Sequence, residues 1–352
     1  MQVAISAVVS TPQDAAFVVE AEKLGAASVW VPEAWGQDAL TPLAYLAALT
    51  STIKLASGIV QIGARTPAML AMQAMSLQGL SNGRLLVGLG TSGPQVMEGW
   101  HGIEFAHPIR RTRETIEIVR MITSGERLAY EGQSYVLPLP GGEGRSIRSL
   151  AAPAPVPIYV ASLGPANLAL TGAMADGWIG NSFFPEHADV YFGPIAEAAA
   201  AAGRSLRDLD LVVAASVEFT DDVEGAGRRH ADGYAFTFGA MGSAASNFYN
   251  NAFGRLGFAE DVAEVQRLWA AGDRAAAAAR VPIGIGLGTN LIGPPEVVRD
   301  RLRAYRDAGV TTLRIAPIGT TFDDHVAGLE QLLELLDTVN RENEEPTDDR
   351  SA

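Results

Sequence analysis

Short apolar runs rich in β-branched residues alternate along the chain with longer runs of helical character. The first apolar run, Val3 to Val9, ends in STPQD, where Thr11 can cap a helix whose first position is Pro12. The helix that follows stops at Gly25 and feeds a buried run from Ser28 to Glu33. This is a strand–helix–strand unit, and it recurs. IKLASGIV precedes a helix from Pro67 to Leu80, RLLVGLGT precedes one around Arg111 to Ile122, and PIYVAS precedes PANLALTGAMA and then the strand DGWIGN. Near the end, VVRDRLRAYRDAGVTTLRIAP places Val298, Leu302 and Tyr305 on one helical face and closes with a second glycine-to-strand junction. About eight strands, each followed by a helix, predict an α/β fold, a (β/α)8 TIM barrel with insertion segments and not an open sheet.

Two stretches break the alternation. RLAYEGQSYVLP predicts a hairpin turning at Glu131 to Gln133, followed by a Pro/Gly-rich excursion, which makes an insert near residues 127–156. An Ala-rich helical insert is expected near 222–290, with FGAMGSAASNFYNNAFGRLGF between its helices, placed to cover a barrel mouth. The organisation is thus one barrel domain over residues 1–338, with 339–352 as a charged tail expected to be disordered.

Composition narrows the partners. With 48% hydrophobic and 19% charged residues the chain can bury a large core. A net charge of -14 argues against nucleic acid and for a small-molecule substrate. There is no cysteine, so thiolate chemistry and disulfides are excluded. The histidines His107, His187, His230 and His325 lack metal-ligand spacing, so no metal is expected. No apolar run approaches the roughly 18 residues of a membrane span, and no basic leader opens the sequence, so a cytoplasmic protein without membrane contact is expected.

Gly88, Gly90 and Gly93 in VGLGTSGPQVMEGWHG spell G-x-G-x-x-G. A nicotinamide fingerprint would need this motif after the first strand, an immediate helix, and an acid about 20 residues on, none of which the sequence offers. The alternatives are tight turns, or room for a flat ligand at the carboxyl end of a barrel strand. Other predicted strand ends carry chemistry too. SLGPANL offers backbone N–H groups before a helix, suited to an anion; GNSFF adds Asn181; Glu33, Trp35, Trp100 and His101 add polar and aromatic groups. Trp35, Met97, Trp100, Phe183 and Phe184 suggest an apolar wall. Together these predict one pocket at the C-terminal face. No nucleophile elbow and no P-loop occurs.

Three segments carry a resemblance: ASGIVQIGARTPAMLAMQAMSLQGLSNGRLLVGLGTSGPQVMEGWHG, PIYVASLGPANLALTGAMADGWIG and LIGPPEVVRDRLRAYRDAGVTTL. The chain resembles the luciferase-like monooxygenase superfamily, in its coenzyme F420-dependent oxidoreductase branch. The resemblance implies a homodimeric barrel that binds the deazaflavin at the C-terminal face and moves hydride between it and a small organic substrate. It implies a non-proline cis peptide between Gly58 and Ile59 under the middle ring, cofactor contacts at Gly90 and Thr91, a phosphate cradle at Ser162, Leu163 and Gly164, another phosphate contact near Asn181, and an acid, Glu33, beside the ring's polar edge. Members that oxidise a sugar phosphate place a His after that acid and a Glu after the fourth strand; here Ala34 and Gly93 stand there, so that substrate is not carried over. His101 and Glu33 are the candidate proton donors. The runner-up within the superfamily is an FMN-dependent monooxygenase, and outside enzymes a barrel that binds a ligand without turning it over.

Overall fold

The first strand–helix unit shows local chemistry directing the chain. In the computed structural model, which describes residues 1–241 and 247–342, Thr11 and Asp14 cap the helix Pro12–Leu24 reciprocally, side chain to backbone in both directions. Pro12 takes the first position, where no N–H is needed, and Gly25 ends the helix at φ 100°, a left-handed conformation that a side chain would strain.

Eight parallel strands close a ring: β1 (Gln2–Ser6), β2 (Ser28–Val31), β3 (Lys54–Ser57), β4 (Leu85–Gly90), β5 (Ile158–Ala161), β6 (Gly177–Gly180), β7 (Asp210–Ala215) and β8 (Thr312–Ile315). Each pairs with its neighbours in chain order, β3 pairs with β4 through Leu55 and Leu85, and β8 returns to β1 with Ala4 opposite Arg314. The barrel read from the sequence is present. Alternate side chains face in and out. The inner layer takes Ala4, Trp30, Ala56, Leu86, Tyr159, Ile179 and Val212 from β1 to β7, with the Trp30 and Tyr159 rings meeting edge to face at 5.4 Å. Outward residues such as Val29, Leu55, Val87 and Val213 pack beneath the helices in one continuous core. Each such buried aliphatic side chain contributes about 1.5–3 kcal/mol. At the bottom of the barrel, buried Arg84 donates to the carbonyls of Ser81, Ile53, Ala47 and Thr50, so one guanidinium ties the ends of helices Leu40–Leu49 and Pro67–Leu80 to the sheet.

Three expectations shift. The hairpin strands are Tyr130–Glu131 and Val136–Leu137, so the turn runs over 132–135 and extends two residues past the expected Glu131–Gln133. The Glu114 carboxylate sets it, accepting the N–H groups of Gln133, Ser134 and Tyr135. The tail does not begin at 339: helix Phe322–Arg341 continues because Val339 is buried and Asn340 donates to the Met1 carbonyl. Residues 343–352, where disorder was expected, lie outside the described residues. Gly88 and Gly90 lie inside β4 and not after it, and Gly93 caps a one-turn helix, Pro94–Met97, that the sequence reading left out.

Between β7 and β8 the chain leaves the barrel. Val217–Phe219 pairs in parallel with Leu291–Gly293, and helices Val223–Ala240, Phe248–Phe253, Ala259–Ala270, Arg274–Arg280 and Ile283–Gly288 lie between those short strands. Among the described residues no helix is long and apolar enough to cross a membrane.

Candidate active site

The carboxyl ends of the strands and the segment between β7 and β8 enclose a cavity of about 920 Å³, within the range that takes a cofactor or drug-sized ligand. Its floor is largely apolar. Ile59 follows β3, Gly90 and Ala161 end β4 and β5, Ile179 comes from β6, and Asn181 follows it. Trp35, Thr91 and Trp100 wall one side, while Phe236, Met241, Phe248 and Tyr249 close over the other.

The glycines at the floor have separate uses. A Cβ on Gly88 would lie 2.1 Å from the Ser57 carbonyl oxygen, so this glycine lets β3 and β4 approach. One on Gly90 would lie 2.6 Å from the Ile59 side chain, so its empty side is filled by Ile59, which then presents itself to the cavity. Gly93 meets no such constraint. The peptide bond between Gly58 and Ile59 is cis, where the resemblance places it.

Glu33 lines the cavity, but its carboxylate is committed. Arg65 grips it with both terminal nitrogens at 2.7 Å, and the N–H groups of Gln61 and Ala39 donate to its two oxygens. The same hydrogen bonds, stronger than the opposing burial, push the Arg65 guanidinium up. His101, next in the chain to Trp100, does not itself line the cavity. Its Nε2 is 3.0 Å from Gln61 Oε1, and Gln61 Nε2 donates to the Ala34 carbonyl, so the glutamine presents an acceptor to the ring.

At the end of β5, Gly164 caps helix Pro165–Met174 in an extended conformation with open space where a Cβ would stand. Pro165 has no N–H and the Asn167 N–H turns back to the Gly164 carbonyl, so it is the dipole of the helix N-terminus that gives this corner a positive field. Arg255, from the helical segment, lines the same corner and donates to the Leu163 carbonyl at 2.6 Å. Asn167 adds a buried Oδ1 without a partner. The Ser162 hydroxyl is engaged with Thr171 at 2.9 Å, leaving its backbone for a ligand. Glu33 and Arg255 are the charged side chains of the lining, and Glu33 is neutralised by Arg65. The cavity is therefore locally positive in an acidic protein.

Of the expected wall, Trp35 and Trp100 face the cavity, but Met97, Phe183 and Phe184 are core: Met97 fills the space beside Gly63, and Phe183 packs against Trp178 and Tyr191. Large apolar side chains near strand ends carry no mark of which way they turn. The sequence reading missed Phe248, Tyr249 and Arg255, although the segment that holds them was singled out as a cover. It also missed Arg314, a cation in the middle of the otherwise apolar strand TLRI.

A closed parallel barrel with its cavity at the carboxyl ends of the strands is the architecture of a (β/α)8 enzyme. The chain belongs to the luciferase-like monooxygenase family, whose model matches residues 7–312. It is 36% identical over 312 residues to a protein of Mycobacterium tuberculosis provisionally named a coenzyme F420-dependent oxidoreductase, covering 86% of this chain and 90% of the relative. It is 28% identical to a 5,10-methylenetetrahydromethanopterin reductase of Archaeoglobus fulgidus, covering 86% of this chain and 89% of the other. The solved coenzyme F420-dependent tetrahydromethanopterin reductase of Methanopyrus kandleri superimposes with a TM-score of 0.78 at 22% identity over 95% of this chain and 98% of the other, a likeness of fold.

Proposed function

We propose that the protein is a coenzyme F420-dependent oxidoreductase that passes a hydride between the deazaflavin and a small organic substrate. The observation that carries this reading is the pairing, in one cavity, of an apolar floor (Ile59, Gly90, Ala161, Ile179) with a positive corner at Gly164 and Arg255. A planar ring fits the first and a phosphate the second. The relatives named for F420 add support from outside the geometry.

In this reading the backbone of Ser162, Leu163 and Gly164, the helix N-terminus and Arg255 hold the phosphate, with Asn181 presenting its amide from the floor. Thr91 and the backbone at Gly90 border the ring. When bound, the deazaflavin supplies a carbon that accepts or releases hydride. The chain's own residues orient the partners and exclude water: Trp35, Trp100 and Phe248 narrow the mouth, and the floor keeps the ring from sliding into the barrel. His101 moves the proton. Gln61 sets its Nε2 as donor, which leaves Nδ1 as the nitrogen that would take or give the proton. Glu33 holds Arg65 and the end of β2.

Titration of the purified protein with oxidised F420 and, separately, with FMN tests the reading. Saturable binding of F420 with weak or no binding of FMN is the expected result. Saturable FMN binding with no F420 binding would transfer the protein to the flavin monooxygenases, and binding of neither would overturn a cofactor-dependent function.

A further inference from the structure

Seven of the eight inward positions beneath the cavity are uncharged; the eighth, opposite Ala4, is Arg314 on β8. It is buried, with 8% of its surface exposed. Nη2 donates to Asn181 Oδ1 at 2.8 Å, Nε has no partner, and the guanidinium carbon lies 5.8 Å from the centre of the Trp30 ring. Half-buried Arg65 and buried Arg84 differ. Arg65 is matched by Glu33, and the fork of Arg84 is filled by four carbonyls. The ionisable group that acts on Arg314 is the Tyr249 hydroxyl, and among the described residues no carboxylate forms an ion pair with it. Burial lowers its pKa to about 10, which leaves it a cation at neutral pH. An isolated buried charge is costly, so one kept here with no counter-charge calls for a partner outside the chain's own carboxylates.

The position of that charge is specific. A Cβ on Gly58 would lie 2.9 Å from Arg314 Nη1 and 3.2 Å from Trp30 Cβ, so glycine at 58 makes room for the guanidinium directly under the floor. Ile59, next in the chain, and Asn181 and Tyr249 separate it from the cavity they line. Anything flat resting on this floor lies over a fixed positive charge in a medium poor in water.

We propose that Arg314 is a charge-stabilising residue that favours the reduced form of the bound deazaflavin, a role that rests on the F420 reading above. Hydride uptake brings two electrons and one proton to the ring, which becomes one unit more negative. The substrate loses the same hydride, and its hydroxyl or amine sheds a proton as the new double bond forms. Return of the hydride reverses both changes. A cation already oriented under the floor stabilises the electron-rich ring without reorganising, and so shifts the balance of the couple. Arg314 acts through the floor and does not itself line the cavity.

The test compares wild type, Arg314→Met, Arg314→Gln and Arg314→Lys for the affinity of oxidised and of reduced F420, measured separately, and for the potential of the bound couple. Methionine and glutamine are expected to weaken binding of the reduced form 10- to 100-fold more than the oxidised form. That ratio corresponds to a bound potential lower by about 30–60 mV for two electrons. Lysine should restore most of it. Thermal unfolding of the ligand-free variants is expected near that of wild type, because an apolar or neutral side chain relieves an isolated buried charge. Equal weakening of both forms, or an unchanged potential in both neutral variants, would overturn the proposal and leave Arg314 as a structural residue or a contact for an anionic substrate. Should wild type bind neither form, the F420 reading falls and this role with it; an unchanged ratio in protein that binds both forms removes the role of Arg314 alone.

Discussion

The two candidate proton donors differ in what the fold has already asked of them. Glu33 is gripped by Arg65 at 2.7 Å through both oxygens and by two backbone N–H groups, so its lone pairs are spent on structure. His101 spends one nitrogen on Gln61 and keeps the other. Glu33→Gln should therefore read out first as instability: Arg65 would keep only Asp38, 4.0 Å away, as counter-charge, at a cost of about 1.5–3 kcal/mol by denaturant unfolding. His101→Ala should leave stability and F420 affinity near wild type while slowing single-turnover hydride transfer about 10²- to 10⁴-fold. Wild-type single-turnover rates in His101→Ala would remove His101 from the proton path, and a stable Glu33→Gln with the same kinetic loss would put Glu33 in its place.

At the scale of elements, the helix Pro165–Met174 turns a strand end into an anion site, and its cap is the residue to test. Open space stands where a Gly164 side chain would be, so Gly164→Asp should fold normally and place a carboxylate in the positive corner beside Arg255. We expect F420 affinity to fall at least 10-fold, with unfolding within about 0.5 kcal/mol of wild type; unchanged affinity would move the phosphate elsewhere. A second element-scale test concerns Glu22 at the end of the first helix. Burial pushes its carboxyl up, but the N–H groups of Thr52, Ile53 and Ser51, all donating to Oε1, outweigh that and hold it below the usual carboxylate range. A pKa lowered by folding adds stability above the unfolded value and loses it as pH falls through the folded one. Glu22→Gln should thus cost about 1–2 kcal/mol at pH 7, less as pH falls below the usual carboxylate range, and nothing once the carboxyl is protonated in both folded and unfolded chains. A cost that does not change with pH would show that Glu22 contributes no charge-dependent stability.

These elements also show what the sequence makes legible. Caps and stops are local: Thr11, Pro12 and Gly25 announce their helix without reference to the rest of the chain, and the repeated strand–helix units announce a barrel. Strand ends are legible for the same reason: Glu33, Gly90, Ser162 to Gly164 and Asn181 line the cavity, as does Thr91, which only the family resemblance points to. What could not be read was direction. Phe183 and Trp100 look alike in sequence, yet one is buried in the core and the other faces the ligand. Arg314 is hidden in another way, since its meaning depends on which face of β8 points inward and on the absence of a carboxylate across the barrel.

At the scale of the whole molecule, the cavity has two owners: the barrel ends supply its floor, and the segment between β7 and β8 supplies Phe236, Met241, Phe248, Tyr249 and Arg255. A ligand that touches both must couple them. Ligand that binds only the folded state stabilises it by RT ln(1 + [L]/Kd), about 2.7 kcal/mol at a hundredfold excess over Kd. With F420 at that concentration, amide hydrogen exchange should slow in helix Phe248–Phe253 and at the start of helix Pro165–Met174, the two regions that meet at Arg255 and Leu163. The hairpin Tyr130–Glu131 and Val136–Leu137 makes no part of the cavity and is an internal control: its local opening should keep its ligand-free rate. Protection confined to the barrel ends, with exchange in Phe248–Phe253 unchanged at saturation, would mean that the helical segment covers the mouth without contributing to cofactor binding, and Arg255 would lose its place in the phosphate site.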